Sequence, residues 1–203
     1  MRRLTTNGNT MRRIKLLVLL LSTALTTVHA QPAAWRLDKA HSSVTFTVKH
    51  MVISEVTGKF RDFDISVTSS KDDFTDAVVE ATIKVASITT DNDRRDNHLR
   101  SDDFFNAEKF PEIKFKSHSV EELGKNVYKI HGDLTIRDTT KKVTLGAVHN
   151  GTISTAQGTR AGWKAMLSVN RFDYGLKWNR TIETGGLIAG DTVNIILNFE
   201  LLK

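Results

Sequence analysis

The 203-residue sequence contains no cysteine and only two prolines. The missing cysteines exclude a disulfide framework, a thiol nucleophile, a thiolate metal site and a lipid-modified cysteine anchor. No repeat or low-complexity tract follows Gln31, so nothing in the chain resembles a linker. We therefore expect one domain over residues 31–203, a length that suits a single well-buried core.

Acidic residues are missing from the first thirty positions, which instead hold five basic residues ahead of the apolar run Leu16 to Leu21. The apolar stretch around this run is shorter than the about 20 residues needed to cross a bilayer. The pattern predicts a secretory signal peptide over residues 1–30, cleaved after Ala30. We expect a periplasmic product with no integral membrane segment, and both Met1 and Met11 are candidate start sites.

The formal net charge of +6 comes mainly from this leader. Five of the 29 basic residues precede Gln31, so residues 31–203 hold 24 basic and 23 acidic side chains. So balanced a charge gives no support to a nucleic-acid partner or to adsorption on anionic membranes. The sequence leaves monomer and homodimer open.

Alternation of apolar and polar residues is the dominant pattern after Gln31. In VEATIKV, from Val79 to Val85, every second residue is apolar, as in a half-buried β-strand. The same pattern predicts strands at 44–48, 63–67, 112–120, 126–137, 141–150, 163–169 and 193–201. Eight such antiparallel strands would leave two exposed edges in an open sheet, and closure removes both. We therefore predict an all-β fold, an eight-stranded antiparallel barrel.

Two connections between these strands are long, at roughly 89–111 and 171–190. Strand counting places both at the same end of the barrel as the turn from Lys49 to Glu55. Asp91 and Asp93 favour the start of a short helix at about 92–100, because free backbone N–H groups and the helix dipole attract anions there. The aromatic residues beyond this helix are expected to fold over the barrel mouth as a lid.

Signatures of catalysis are missing. The chain lacks GxGxxG, phosphate-loop, GxSxG and HExxH motifs. His41 and His50 are nine residues apart, which is not the spacing of a metal-ligand pair. Adjacent acidic residues such as Asp102 and Asp103 are typical of solvated turns. We therefore expect no catalytic residue, no metal and no cofactor, and we expect that the protein is not an enzyme.

Small residues interrupt the large ones on the predicted inner face. They are Ala81, Ala147, Ala165 and Ser66. Small residues of this kind either fill a tapering barrel or leave a tunnel for a long apolar ligand. The pattern alone does not decide between the two.

The segment ITTDNDRRDNHLRSDDFFNAEKFPEIKFKS at 88–117 joins a charged helix, a double phenylalanine and FPEIKF at fixed spacing. It strongly resembles the hallmark of the YceI-like family of exported bacterial proteins. WRLDKAHSSVTFTVKHMVISEVTGKF at 35–60, GDLTIRDTTKKVTL at 132–145 and NRFDYGLKWN at 170–179 support the resemblance. Asp138 departs from it, since many relatives have glycine there, and this affects only the local turn.

The resemblance implies an eight-stranded, lipocalin-like barrel that binds an amphiphilic lipid, such as a polyisoprenoid or a fatty amide, in its apolar interior. We predict that the tunnel is lined by Phe46, Val48, Phe60, Ile83, Phe115, Ile136, Leu145, Trp163, Leu167 and Ile195. At the mouth and head group we expect Arg94, Arg95, His98, Phe104, Phe105, Lys177, Trp178, Asn179 and Arg180.

The expected function is periplasmic binding, transport or storage of a polyisoprenoid, an isoprenoid quinone, or a fatty acid or amide. Two alternatives stay open. The first is a stress-related accessory barrel with a filled interior. The second is an enzyme that acts on an isoprenoid or quinone head group, with His98 and Asp102 or Asp103 as its titratable pair.

Overall fold

The computed structural model describes residues 31–203, which form ten β-strands, one α-helix and two short 3-10 helices. The strands are β1 (Ala33–His50), β2 (Ser54–Phe60), β3 (Phe63–Ser69), β4 (Val78–Lys84), β5 (Ile88–Thr89), β6 (Glu112–Gly124), β7 (Val127–Ile136), β8 (Thr139–Thr155), β9 (Gly158–Asn170) and β10 (Ala189–Leu202). The helix α1 spans Asp93–Arg100, and the 3-10 helices span Val85–Ser87 and Arg171–Tyr174. The predicted signal peptide at 1–30 lies outside the described residues.

The strands close into a barrel because β1 pairs with β10 on one side and with both β2 and β3 on the other. β2 faces the second half of β1, with Val44 opposite Phe60, and β3 faces its first half, with Ala33 opposite Ser69. Both run antiparallel to β1, so they act as one bent strand of the barrel. With the two-residue β5 outside this circuit, the closed barrel has eight antiparallel strands, which confirms the prediction.

Strand β1 begins eleven residues earlier than the alternation indicates, at Ala33 and not at Val44. A register shift between Asp38 and Ser43 interrupts its pairing with β10. The shift breaks the period of two, because extra residues in one strand put successive side chains out of step with the two faces. The continuous strand was therefore hidden in the sequence pattern.

One end of the barrel is plugged by an aromatic cluster, which we define as Trp35, Phe74, Tyr128, His149 and Trp163. Phe74 packs on Trp35 and Trp163 with ring centroids 5.4 Å and 5.1 Å away, and His149 stacks on Trp163 at 4.6 Å. Aromatic rings of this size bury a large apolar area in few residues. The aromatic cluster therefore closes this end.

The opposite end carries the long connections and the helix, as predicted. The Asn92 side chain caps α1 by accepting a hydrogen bond from the Arg95 backbone N–H at 3.0 Å. The turn after β1 meets the second long connection, because the Met51 N–H donates to the Ile188 carbonyl at 2.9 Å. No helix within residues 31–203 is long and apolar enough to cross a membrane.

Candidate binding cavity

The barrel encloses a cavity of about 350 Å³ between the aromatic cluster and the long connections. Side chains from nearly every strand of the barrel line it, and almost all of them are apolar. Nine of the ten residues predicted for the tunnel are among them, namely Phe46, Val48, Phe60, Ile83, Phe115, Ile136, Leu145, Leu167 and Ile195. The structure thus brings these nine together around one hollow, while their contact with a ligand stays a prediction.

Trp163 is the tenth predicted residue, and the structure places it outside the cavity. Its side chain does point inward, but it belongs to the aromatic cluster, with Tyr128 5.2 Å from it between ring centroids. Period two identifies the inner face of β9, but not how deep each residue lies along the barrel axis. The indole Nε1 of Trp163 is buried without a hydrogen-bond partner among the described residues.

Two of the four small residues create space in the cavity. Ala81 on β4 and Ala165 on β9 line it. Ala147 is buried but does not line the cavity. Ser66 faces solvent, because the buried residues of β3 alternate with exposed ones and Ile65 and Val67 on either side of it are buried. Its placement on the inner face was wrong.

Five of the nine residues predicted for the mouth line the cavity, namely Arg95, His98, Phe104, Phe105 and Trp178. The other four, Arg94, Lys177, Asn179 and Arg180, are exposed and do not line it. Neighbouring positions on a short helix differ by about 100° in direction. Arg95, although also exposed, can therefore reach the cavity while Arg94 points away from it.

The two long connections meet over the cavity through a second aromatic contact. The His98 ring lies edge-on to Phe104 and to Trp178, with centroids 5.0 Å and 5.6 Å away. Phe104 and Trp178 are 5.6 Å apart. The segment 90–110, which we call the lid, thus packs directly on the second connection at the rim that the sequence predicts them to share.

Three arginines hold this end together by donating to backbone carbonyls. Arg100 donates to Ala86 at 3.0 Å and to Ile88 at 2.7 Å, which ties the lid to the strand before it. Arg137, in the turn after β7, donates to Phe104 at 2.8 Å and to Gly175 at 3.1 Å. One guanidinium therefore fixes both long connections.

Arg171 is the third of these arginines, and the sequence reasoning missed it. It lines the cavity although its residue is only 4% exposed. Arginine is almost never fully buried, so nothing in the sequence indicates this position. The residue stands in NRFDYGLKWN, a segment that carries the family resemblance, and that is the one signal that pointed to it.

Asp96 anchors the helix beneath the lid. It is 3% exposed and accepts hydrogen bonds from the Thr90 backbone N–H at 2.8 Å and the Thr90 hydroxyl at 2.5 Å. Burial raises the pKa of this carboxyl, but the hydrogen bonds from Thr90 and Thr89 outweigh burial, so the pKa lies below its usual value. The folded protein therefore holds Asp96 as an anion.

The titratable groups of the enzyme alternative do meet at the rim. His98 Nε2 lies 2.7 Å from Asp103 Oδ2, while Asp102 binds Arg137. Asp102 and Asp103 do not line the cavity. This pair is exposed and resembles an ordinary surface contact.

One group of metal-ligand residue types lies together within the described residues, namely Asp38, His41 and Glu200. Arg160 Nη1 already bridges the two carboxylates, at 2.9 Å from Asp38 and 2.5 Å from Glu200. The guanidinium thus already lies between the two carboxylates and balances one of their two charges. None of the three lines the cavity.

Known proteins are similar to this chain in sequence and in architecture. A UPF0312 protein of Staphylococcus aureus strain bovine RF122 is 40% identical over 165 residues, which cover 80% of this chain and 94% of that protein. The crystal structure of the Campylobacter jejuni YceI protein superposes with a TM-score of 0.66 at 32% identity, covering 82% of this chain and 96% of that one.

Two more distant structures share the fold. Burkholderia cenocepacia BcnA has a TM-score of 0.70 at 22% identity, covering 81% of this chain and 98% of that one. A polyisoprenoid-binding domain from Saccharophagus degradans, implicated in plant cell wall breakdown, has a TM-score of 0.60 at 15% identity, covering 83% and 97%. Residues 35–201 match the YceI-like domain. The chain belongs to the YceI-like family.

Proposed function

We propose that this protein binds one amphiphilic lipid in the barrel cavity and carries or stores it in the periplasm without changing it chemically. The observation that carries the proposal is an apolar hollow that is closed by the aromatic cluster at one end and covered by the lid at the other. The lipid classes that fit are a polyisoprenoid, an isoprenoid quinone, or a fatty acid or amide. The Saccharophagus degradans domain of the same fold, which binds a polyisoprenoid, supports this choice.

The size of the cavity sets how much chain it holds. At roughly 30 Å³ per heavy atom, the share of a water molecule in the liquid, 350 Å³ takes about a dozen chain carbons. Each buried methylene contributes about 0.8 kcal/mol, so a dozen contribute on the order of 10 kcal/mol before the losses of chain and protein entropy are subtracted. Apolar contact therefore supplies a large favourable contribution to binding, against which those losses are set. The filled-interior alternative does not fit a cavity of this size.

The experiment is native mass spectrometry of the protein purified from its own host, followed by solvent extraction of whatever co-purifies. We expect a mass increment for one amphiphilic molecule per chain. Recovery of the same molecule, unaltered, after long incubation with the protein is expected for carriage without catalysis. A conversion of the extracted molecule would favour the enzyme alternative. A ligand-free protein that also binds no fatty or prenyl probe would overturn the proposal.

A further inference from the structure

Among residues 31–203, the polar residues that line the cavity all lie at its lid end. None of these lining residues is acidic. They are Lys49, His50, Thr90, Arg95, His98 and Arg171. The first two end β1, the next three belong to the lid, and Arg171 begins the second connection. The rest of the lining is apolar. The two ends of the cavity thus differ in chemistry. The basic groups lie at the lid end, and the lining towards the aromatic cluster is apolar.

The three permanent cations of this set take part in no salt bridge within the described part of the chain. On the outer surface of the barrel, by contrast, cations commonly pair, as Lys84 does with Glu112 and Lys116 with Glu80. Lys49 and Arg95 are exposed and therefore screened by solvent, whereas Arg171 is buried and its charge is screened less. The lid end therefore holds a buried positive charge that no salt bridge within the described residues balances.

Arg171 is the most buried of these cations. Its Nε donates to the Gly190 carbonyl at 2.8 Å, Nη1 to Leu176 at 2.7 Å and Nη2 to Ala189 at 2.9 Å. These bonds use three of the five N–H groups of a guanidinium and fix its plane, and they leave two without an acceptor among the described residues. Burial lowers the pKa of Arg171 and the negative charge of Asp191 offsets only part of this effect, although an arginine stays charged.

We propose that the bound amphiphile ends in an oxyanion, a carboxylate or a phosphate, which is held beside Arg171 at the lid end of the cavity. The proposal deepens the function proposed above and rests on it. A fixed guanidinium matches the planar or forked oxygens of such groups and binds them by charge-assisted hydrogen bonds. A neutral head group would leave Arg171 without a direct ion pair, since Asp191 acts on it only from a distance. Lys49 and Arg95 add attraction from the rim.

The test compares three ligands of identical chain length, namely lauric acid, lauryl phosphate and lauryl alcohol. Their affinities for the delipidated full-length mature protein are measured by calorimetry at neutral pH. We expect both anions to bind at least about tenfold more tightly than the alcohol, the factor that one charge-assisted hydrogen bond supplies. Equal affinities for acid and alcohol would overturn the oxyanion proposal while leaving lipid binding intact. Failure of all three to bind would instead defeat the proposed function.

Inorganic phosphate separates a lipid head group from a free anion. We expect it to bind far more weakly than lauryl phosphate, since it lacks the chain. If it bound as tightly, Arg171 would serve a free anion and the proposal would be wrong.

Substitution of Arg171 tests the assignment to this side chain. In Arg171→Met the ratio of acid to alcohol affinity is expected to fall at least about tenfold. The ratio is informative even where the second connection loosens, because loss of structure weakens both ligands alike. An unchanged ratio would refute the role of Arg171. If Arg171→Met does not fold, Lys49→Gln, which removes a cavity cation without a hydrogen bond of its own, is expected to lower the ratio by a smaller factor. A ratio unaffected there would count against the proposal.

Discussion

Ala165 offers the sharpest test of where a lipid chain lies. It is 2% exposed, lines the cavity and stands on β9 opposite Leu197 of β10. In Ala165→Leu three added carbons occupy space that the chain would use. At about 0.8 kcal/mol for each methylene displaced, binding loses about 2.4 kcal/mol, or roughly 50-fold in affinity. The ligand-free protein is expected to keep or raise its melting temperature, because the leucine fills an existing hollow.

The assay is displacement of a fluorescent fatty acid, together with quantification of lipid that co-purifies. The matched control is Ala34→Leu, which makes the same chemical change on the exposed side of β1. Wild-type affinity in a folded Ala165→Leu protein would refute the placement of the chain in this cavity. An equal loss of affinity in both variants would show a general effect and not displacement of the ligand.

Three further predictions concern the lid end. Arg137→Met removes the hydrogen bonds that Arg137 donates to the Phe104 and Gly175 carbonyls. Because this loosens the lid, the backbone amides of residues 99–105 should exchange hydrogen at least about tenfold faster. Asp96 has a lowered pKa, so its stabilisation is complete above the unfolded value near about 4 and is lost as pH falls through the folded value. Denaturant titrations should therefore show that Asp96→Asn is less stable at pH 7 by about 2 kcal/mol and depends less on pH in the acid range. Met51 has a φ of 49°, a region that suits asparagine better. Met51→Asn should raise the melting temperature by about 2–4 °C, and an unchanged value would mean that this turn stores no strain.

The alternation of apolar and polar residues predicted most of the fold and most of the residues that line the cavity. It places Ile83 and Leu167 inside, because a strand with one buried face must alternate. The alternation does not predict how far along the barrel axis each inward-facing residue lies, because that position depends on the stagger between strands. Trp163 therefore belongs to the aromatic cluster, although Ala165, two residues further along the same face, lines the cavity.

The lid end was less predictable because its side chains are placed by non-local contacts. Their place in the long connections at the rim suggested Arg94, Lys177 and Arg180 as head-group residues, and all three are exposed. Arg171 is buried because carbonyls from Leu176 and from the start of β10 converge on it. The residues next to Arg171 in the sequence do not indicate that these carbonyls will surround it. A charged residue is normally assigned to the surface, and that rule fails where backbone acceptors surround it.

Lipid binding is linked to the stability of the barrel, because a bound chain buries apolar surface that belongs to the folded form only. A dozen buried methylenes return on the order of 10 kcal/mol before entropy is subtracted. A ligand that binds the folded barrel alone must raise its melting temperature. Delipidated protein is therefore expected to melt lower than protein reloaded with lauric acid, by calorimetry at matched protein concentration. Identical melting curves for the two forms would show that lauric acid does not bind the folded barrel preferentially, and this would contradict the proposed function.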